Sequence, residues 1–273
     1  MSSRTPGDGA HVVAFEIYGT GVSVIVPRLE LVPRVIEQFP RHASRWEPQS
    51  DDWVFELVIG DDGQCAIFQD ETVVCPPVPL QGALWTLRRE LFLHAVHHAR
   101  NRLVVSAGVV GHEGRAVVLP GPPKVGKTML VAALARLGAV YYADDWALLD
   151  RDGFVHPFPT LLFIKNQGKV SIESLGGVRG DRPIPVGLIA SITFRSGARW
   201  DPQQRTQANG ALMLLRCAYG MDEPHFAMEA ARRATTEALV IEGERDDASE
   251  VASALLEIVS ELPAQAPPPG RSP

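Results

Sequence analysis

Cysteine is scarce in this chain, with three in 273 residues, and Cys65, Cys75 and Cys217 are too scattered for a disulfide framework or a zinc site. They are therefore expected as free thiols, Cys65 and Cys75 within strands. An excess of positive charge is also missing: 26 Lys and Arg against 32 Asp and Glu give a net charge of −6, which excludes a nucleic-acid binder working by bulk charge. No apolar run reaches the roughly 18 to 20 residues that cross a bilayer. Met1 to Ala10 has one Arg and no apolar stretch behind it, unlike a secretory leader. The expectation is a cytoplasmic protein with neither a membrane nor a nucleic acid as partner. Apolar side chains, by contrast, are plentiful: 45% hydrophobic against 21% charged residues excludes a disordered chain and suffices for one large or two small domains.

Residues 1–102 read as a small α+β unit. Val12 to Tyr18 and Val22 to Val26 pattern as strands around a Gly19-Thr20-Gly21 turn, and Leu31 to Phe39 as a short helix with Pro33 in its first turn. Trp53 to Ile59 and Gln64 to Gln69 form a hairpin about Gly60 to Gly63, Thr72 to Cys75 adds a strand, and Pro76, Pro77 and Pro79 end it. Leu84, Leu87, Leu91, Ala95 and Ala99 recur at helical spacing within Ala83 to Arg100. Glu90, His94 and His98 lie four apart on that helix, a spacing able to hold a metal but without a complete ligand set, so the face reads as solvated.

Residues 103–262 read as a second, α/β unit. Leu103 to Val110 and Arg115 to Leu119 are apolar strands joined by the four residues Gly111 to Gly114, which implies an antiparallel hairpin and sets Ser106 opposite Leu119. A helix over Thr128 to Leu137 ends at Gly138, and strands follow at Ala139 to Ala143, Trp146 to Leu149 and Val186 to Phe194. Helices are expected at Ala208 to Cys217, Phe226 to Ala234 and Ala248 to Leu262, with a strand at Ala238 to Ile241. Residues 263–273 hold five prolines without periodicity and read as a disordered tail.

Between the second apolar strand of the hairpin and the helix that follows, Gly121-Pro122-Pro123-Lys124-Val125-Gly126-Lys127-Thr128 matches G-x-x-x-x-G-K-[ST] in full. Glycines let the backbone curl so that its N–H groups converge on phosphate oxygens; Lys127 supplies a cation to the β and γ phosphates, and the Thr128 hydroxyl can ligate Mg²⁺. The loop is also where the pattern wants it, after a strand and before a helix. Gly121, Lys124, Val125, Gly126, Lys127, Thr128 and Met129 are the candidate nucleotide-binding residues. Pro122 and Pro123 lack N–H groups but stiffen a part of the loop that the cradle uses least.

Sixteen positions after Thr128, Asp144 and Asp145 close the strand that returns beside the loop. Neighbouring strand residues face opposite ways, so one carboxylate can serve Mg²⁺, directly or through water, while the other faces an acceptor hydroxyl. The alternative is a turn pair that caps the strand.

Arg115 to Asp150, RAVVLPGPPKVGKTMLVAALARLGAVYYADDWALLD, resembles the catalytic domain of HPr kinase/phosphorylase and its shorter relatives, which share the phosphoenolpyruvate carboxykinase-like nucleotide fold. The likeness covers about Leu103 to Ile164 and extends more loosely to the C-terminal helix. It implies an α/β fold with a mixed sheet around the P-loop, ATP and Mg²⁺ as cofactors, Lys127 on the phosphates, Thr128 and Asp144 on the metal, and Asp145 as the base. It also implies a protein or peptide serine as acceptor and a tendency to self-associate; without the family's sensor domain HPr itself is a doubtful substrate, and a precursor peptide or a small molecule is equally open as acceptor. The first hundred residues do not resemble the family's sensor domain. Two positions depart from the family. Its hairpin histidine is Ser106 here, with no proton to share as imidazole has. Its Glu-Ile-Arg-Gly element survives only as Gly177-Val178-Arg179-Gly180, without the acid.

Other candidates read as ordinary. His112 sits in the far hairpin turn, about 20 Å from the phosphates at roughly 3.3 Å per strand residue. His156 reads as a loop histidine, Arg232 and Arg233 as a charged helix face, and Trp146 as core. Two functions remain: an ATP- and Mg²⁺-dependent phosphotransferase acting on a hydroxyl through Lys127, Asp144 and Asp145, or a nucleotide-holding regulatory module whose catalysis has lapsed.

Overall fold

A computed structural model describes residues 9–39, 43–49, 52–99, 101–164, 167–219 and 223–263, and the chain divides into two units, 1–101 and 102–273. The expectations for residues 1–8 and for the tail beyond Pro263 lie outside the described residues.

In the first unit, β1 (His11–Ile17) and β2 (Thr20–Val26) form a hairpin whose turn residues, Tyr18 and Gly19, both adopt positive φ. A short α1 (Val32–Ile36) follows, shorter than the expected helix, and then β3 (Ser44–Arg45), β4 (Trp53–Ile59), β5 (Cys65–Gln69), β6 (Thr72–Val78) and α2 (Leu80–His98). The six-stranded sheet runs β3-β1-β2-β4-β5-β6. Strand β6 continues through Pro76 and Pro77 to Val78, where the prolines were expected to end it. It is an edge strand, so the missing N–H groups leave no neighbour unpaired. Ile17, Val24, Phe55, Ile67, Leu87 and Leu91 form the core between sheet and α2. The histidine face of α2 is not uniformly solvated: His94 is buried, its ring 4.5 Å from that of Trp53 and 6.2 Å from that of Phe55, while His98 stacks on Trp53 at 4.7 Å. Glu90 is held instead by Arg89.

The second unit is mixed α/β. Its elements are β7 (Leu103–His112), β8 (Arg115–Pro120), α3 (Lys127–Arg136), β9 (Val140–Ala143), β10 (Trp146–Leu149), β11 (Val155–His156), β12 (Leu162–Ile164), β13 (Gly168–Val170), β14 (Val186–Phe194), β15 (Gln203–Arg205), α4 (Gln207–Arg216), β16 (Ala218–Tyr219), α5 (Pro224–Thr235), β17 (Leu239–Arg245) and α6 (Ala248–Glu261). A nine-stranded sheet runs β11-β10-β7-β8-β14-β17-β15, with β9 and β16 also paired to β7.

Two features of this sheet place the site. First, β8, β14 and β17 are parallel neighbours, so their C-terminal ends emerge along one edge, the place where open α/β sheets bind ligands. Second, β7 is an apolar strand buried almost throughout, as a strand covered on both faces must be. Strands β9 and β10 lie antiparallel to it in succession, and the break between them is Asp144-Asp145. On the other flank β8 leaves at Pro120 and β16 takes its place at Val105. Both neighbours of β7 thus part from it near Ser106, Ala107 and Gly108.

The β7–β8 turn is tighter than expected. Glu113 and Gly114, at φ 49° and 78°, make a two-residue connection that pairs His112 with Arg115, as primed hairpin turns do. The register therefore differs by two residues: Gly108 faces Leu119, and the Ser106 carbonyl accepts from the Gly121 N–H at 3.1 Å. Helix α3 is buried through Leu130, Val131, Ala132 and Leu134, which pack with Val251, Leu255 and Val259 of α6. Burial contributes about 1.5–3 kcal/mol for each of the larger side chains. The Asp247 side chain starts α6, accepting from the N–H groups of Ser249 and Glu250. Gly108 allows α3 to lie close to the sheet, because a Cβ there would come within 2.6 Å of Val131.

Candidate functional site

The loop that leaves β8 turns on Lys124 and Gly126, at φ 73° and 93°, and delivers the chain into α3 at Lys127. Gly126 is the N-cap and, among the described residues, no side chain caps the helix, so its first amides are open to a ligand. Lys127 Nζ lies back on the loop, donating to the carbonyls of Gly121 at 2.8 Å and Pro122 at 2.9 Å. Desolvation lowers its pKa from the usual lysine value, opposed by Asp144, Asp145 and the Cys217 thiol.

The structure brings Thr128 and Asp144 together: the Thr128 hydroxyl donates to Asp144 Oδ2 at 2.8 Å. Asp144 is buried, and its other oxygen, Oδ1, has no hydrogen-bond partner among the described residues. Burial first, and Asp145 second, push its pKa up to about 7 against the pull of Thr128 and Lys127. Asp145 is exposed, yet nearby atoms strip enough water to raise its carboxyl too, with Lys127 opposing. The two carboxylates differ as the chain break dictates: one is sealed against the helix N-terminus and the other is open. Lys124 and Met129 are exposed, and Val125 contributes its carbonyl to the Phe194 N–H at 3.3 Å.

Ser106 is buried beside the loop's first glycine and donates its hydroxyl to the Gly121 carbonyl at 3.0 Å. Its own N–H goes to the Cys217 carbonyl at 2.7 Å. The remaining candidates lie elsewhere. His112 meets Ser260 at 3.1 Å, and His156, which falls on β11 rather than in a loop, meets Asp150 at 2.9 Å. Arg179 pairs with Glu173, and Arg232 and Arg233 pair with Glu229. The Tyr141 carbonyl of β9 accepts from the Gly180 N–H at 2.8 Å, which sets the Arg179 segment alongside β9.

One residue was not singled out from the sequence. Arg245, at the C-terminal end of β17, is buried at 4% exposure. It donates to the Gly126 carbonyl at 2.9 Å and to the Asp246 carbonyl at 3.1 Å, and lies over the Phe194 ring at 5.7 Å. A Cβ at Gly126 would meet its guanidinium at 2.7 Å. The loop's back is therefore braced by the ends of β14 and β17. Its only sequence signal is a strand closing on Arg-Asp-Asp.

A cavity of about 630 Å³ opens beside the loop's first half, between Pro120 to Pro123 and the α4–β16 segment. Among the described residues no helix is long and apolar enough to cross a membrane.

No family model matches the chain, and no curated protein matches it. Among solved structures it is similar to the Hpr(Ser) kinase/phosphatase from Coxiella burnetii, at 15% identity and a TM-score of 0.34, over 57% of this chain and 93% of that one.

Proposed function

We propose that the second unit is an ATP- and Mg²⁺-dependent phosphotransferase that passes the γ-phosphoryl group to a hydroxyl, with a serine of a protein or peptide as the acceptor that the sequence resemblance implies. The observation that carries this reading is Asp144: a buried carboxylate with one oxygen on the Thr128 hydroxyl and the other unpartnered among the described residues, next to an open second carboxylate. An unpartnered buried carboxylate oxygen is costly unless something binds it. Thr128 and Asp144 fit Mg²⁺, a hard cation that takes few protein oxygens and keeps the rest for water and phosphate. When bound, the ion supplies charge neutralisation on the outer phosphates.

The chain's own groups do the rest. The amides of Gly126 to Thr128 hold the phosphate oxygens, and Lys127 leaves the carbonyls of Gly121 and Pro122 for the β and γ phosphates. Asp145, with its pKa raised by desolvation, takes the acceptor's proton as the oxygen–phosphorus bond forms and the bond to the β-phosphate breaks.

The second reading, a lapsed nucleotide-binding module, draws on Ser106, whose hydroxyl is committed to the Gly121 carbonyl and offers no titratable proton. Transfer from γ-labelled ATP decides between them. Asp145→Asn should keep ADP binding in calorimetry and lose transfer by at least ~10²-fold, the range a general base supplies. Lys127→Ala should lose binding in either case. Equal transfer by wild type and Asp145→Asn removes Asp145 as base.

A further inference from the structure

We propose that the cavity beside the loop's first turn is the acceptor site, and that it takes a small hydroxyl-bearing molecule that also carries a carboxylate or phosphate. The proposal rests on the phosphotransferase reading and, of the acceptors left open by the sequence, takes the small molecule. At about 630 Å³ the cavity lies within the range that encloses small organic ligands.

Its position relative to the phosphates follows from Lys127. Gly121 and Pro122 line the cavity, and their carbonyls hold Lys127 Nζ at 2.8 and 2.9 Å. The lysine of such a loop serves the β and γ phosphates, so the outer end of the triphosphate lies at this wall. The inner phosphates then lie toward Thr128 and Met129, and the nucleoside leads away from the cavity. Lys127 also joins this wall to the carboxylates: the next residue, Thr128, donates to Asp144 at 2.8 Å, and the Asp145 carbonyl accepts at 3.2 Å from the N–H of Ala107, the neighbour of Ser106 in the cavity lining.

The charge at the rim gives the ligand class. Arg205 is spoken for, its Nε 2.9 Å from Glu242 Oε2. Arg216, at the end of α4, is exposed, and its guanidinium has no ion pair or hydrogen bond among the described residues. An unpaired guanidinium at the edge of a cavity suits a planar or tetrahedral oxyanion, which it can grip with two N–H groups. Leu212 and Met213 supply an apolar wall for the carbon skeleton between anion and hydroxyl. The acceptor oxygen attacks the γ-phosphorus, ADP departs with the electron pair of the broken bond, and the proton goes to Asp145.

The test incubates the full chain, γ-labelled ATP and Mg²⁺ with the low-mass filtrate of a cell extract and, separately, with the retained macromolecules. ADP binding is followed in parallel by calorimetry. Label is expected in the filtrate, in products that were anionic before transfer; mass spectrometry of those products separates a carboxylate from a phosphate. Arg216→Glu should reduce that labelling at least tenfold and leave ADP affinity unchanged. Arg216→Lys should restore part of it, and Leu212→Trp, which fills the cavity without touching the charge, should also abolish it. Label confined to macromolecules, a product from a neutral acceptor, or filtrate labelling indifferent to both Arg216→Glu and Leu212→Trp overturns the proposal. No label in either fraction while ADP still binds overturns instead the phosphotransferase reading on which it rests.

Discussion

Replacing Asp144 by Asn should make the metal-free protein more stable, and more so at alkaline pH. The folded chain raises this carboxyl from 3.8 to about 7, chiefly by burial. The sign follows directly. Below about pH 4 both states hold the proton and the group contributes nothing. Between about 4 and 7 the unfolded chain releases it while the folded chain keeps it, so stability falls by about 1.4 kcal/mol per pH unit, and above about 7 the loss is complete. The penalty is about 4 kcal/mol at pH 8, where it is complete, and about 1–2 kcal/mol at pH 5. Asn keeps an oxygen for the Thr128 hydroxyl and carries no charge to desolvate. At roughly 3 °C per kcal/mol for a domain of this size, Asp144→Asn should raise Tm by up to about 12 °C at pH 8 and about 4 °C at pH 5. Differential scanning calorimetry in EDTA reads both. Mg²⁺ with ADP should then stabilise the wild type far more than the variant, by about 2.7 kcal/mol at a hundredfold excess over Kd. A variant less stable than wild type at pH 8, or a gain independent of pH, would refute the account of Asp144 as a strained, ligand-seeking carboxylate.

Three further outcomes are expected. Arg245→Met removes the donors to the Gly126 and Asp246 carbonyls and should cost about 2–3 kcal/mol in denaturant unfolding while weakening ADP binding; unchanged ADP affinity would show that the brace does not shape the loop. Gly108→Ala sets a Cβ 2.6 Å from Val131 and should destabilise by about 1–3 kcal/mol, with Val131→Ala in the same chain recovering part of it. Asp150 is desolvated, but hydrogen bonds from His156 and the Phe154 N–H outweigh this and hold its pKa below the usual carboxylate value. Its contribution is present above about pH 4 and lost as pH falls through the lowered folded value, so Asp150→Asn should cost about 1–2 kcal/mol at neutral pH and little in strong acid.

The parts of the site that sit close in sequence were legible from it. Loop, helix and aspartate pair span Gly121 to Asp145, and local rules are enough to order a strand, a glycine-bearing turn, a helix ended by Gly138 and a return strand. What failed depended on neighbours. The register of Ser106 turned on whether Gly111 and His112 belong to the turn or the strand, and only pairing with β8 settles that. Pro76 and Pro77 read as breakers until β6 proved to be an edge. His94 reads as surface by its polarity, yet Trp53 and Phe55 cover it from another strand. Arg245 was invisible because its role comes from a parallel pairing with β14 that no local pattern announces.

That brace also orders events as the chain is made. Gly126 and Arg245 stand 119 positions apart, so the ribosome has long released the loop before its rear support exists. Until β17 docks, the carbonyl of Gly126 lacks this donor, and the turn is held only by Ser106 at its start and by β14 at Val125. The loop's final shape should therefore arrive late in synthesis and abruptly, as a property of the finished sheet.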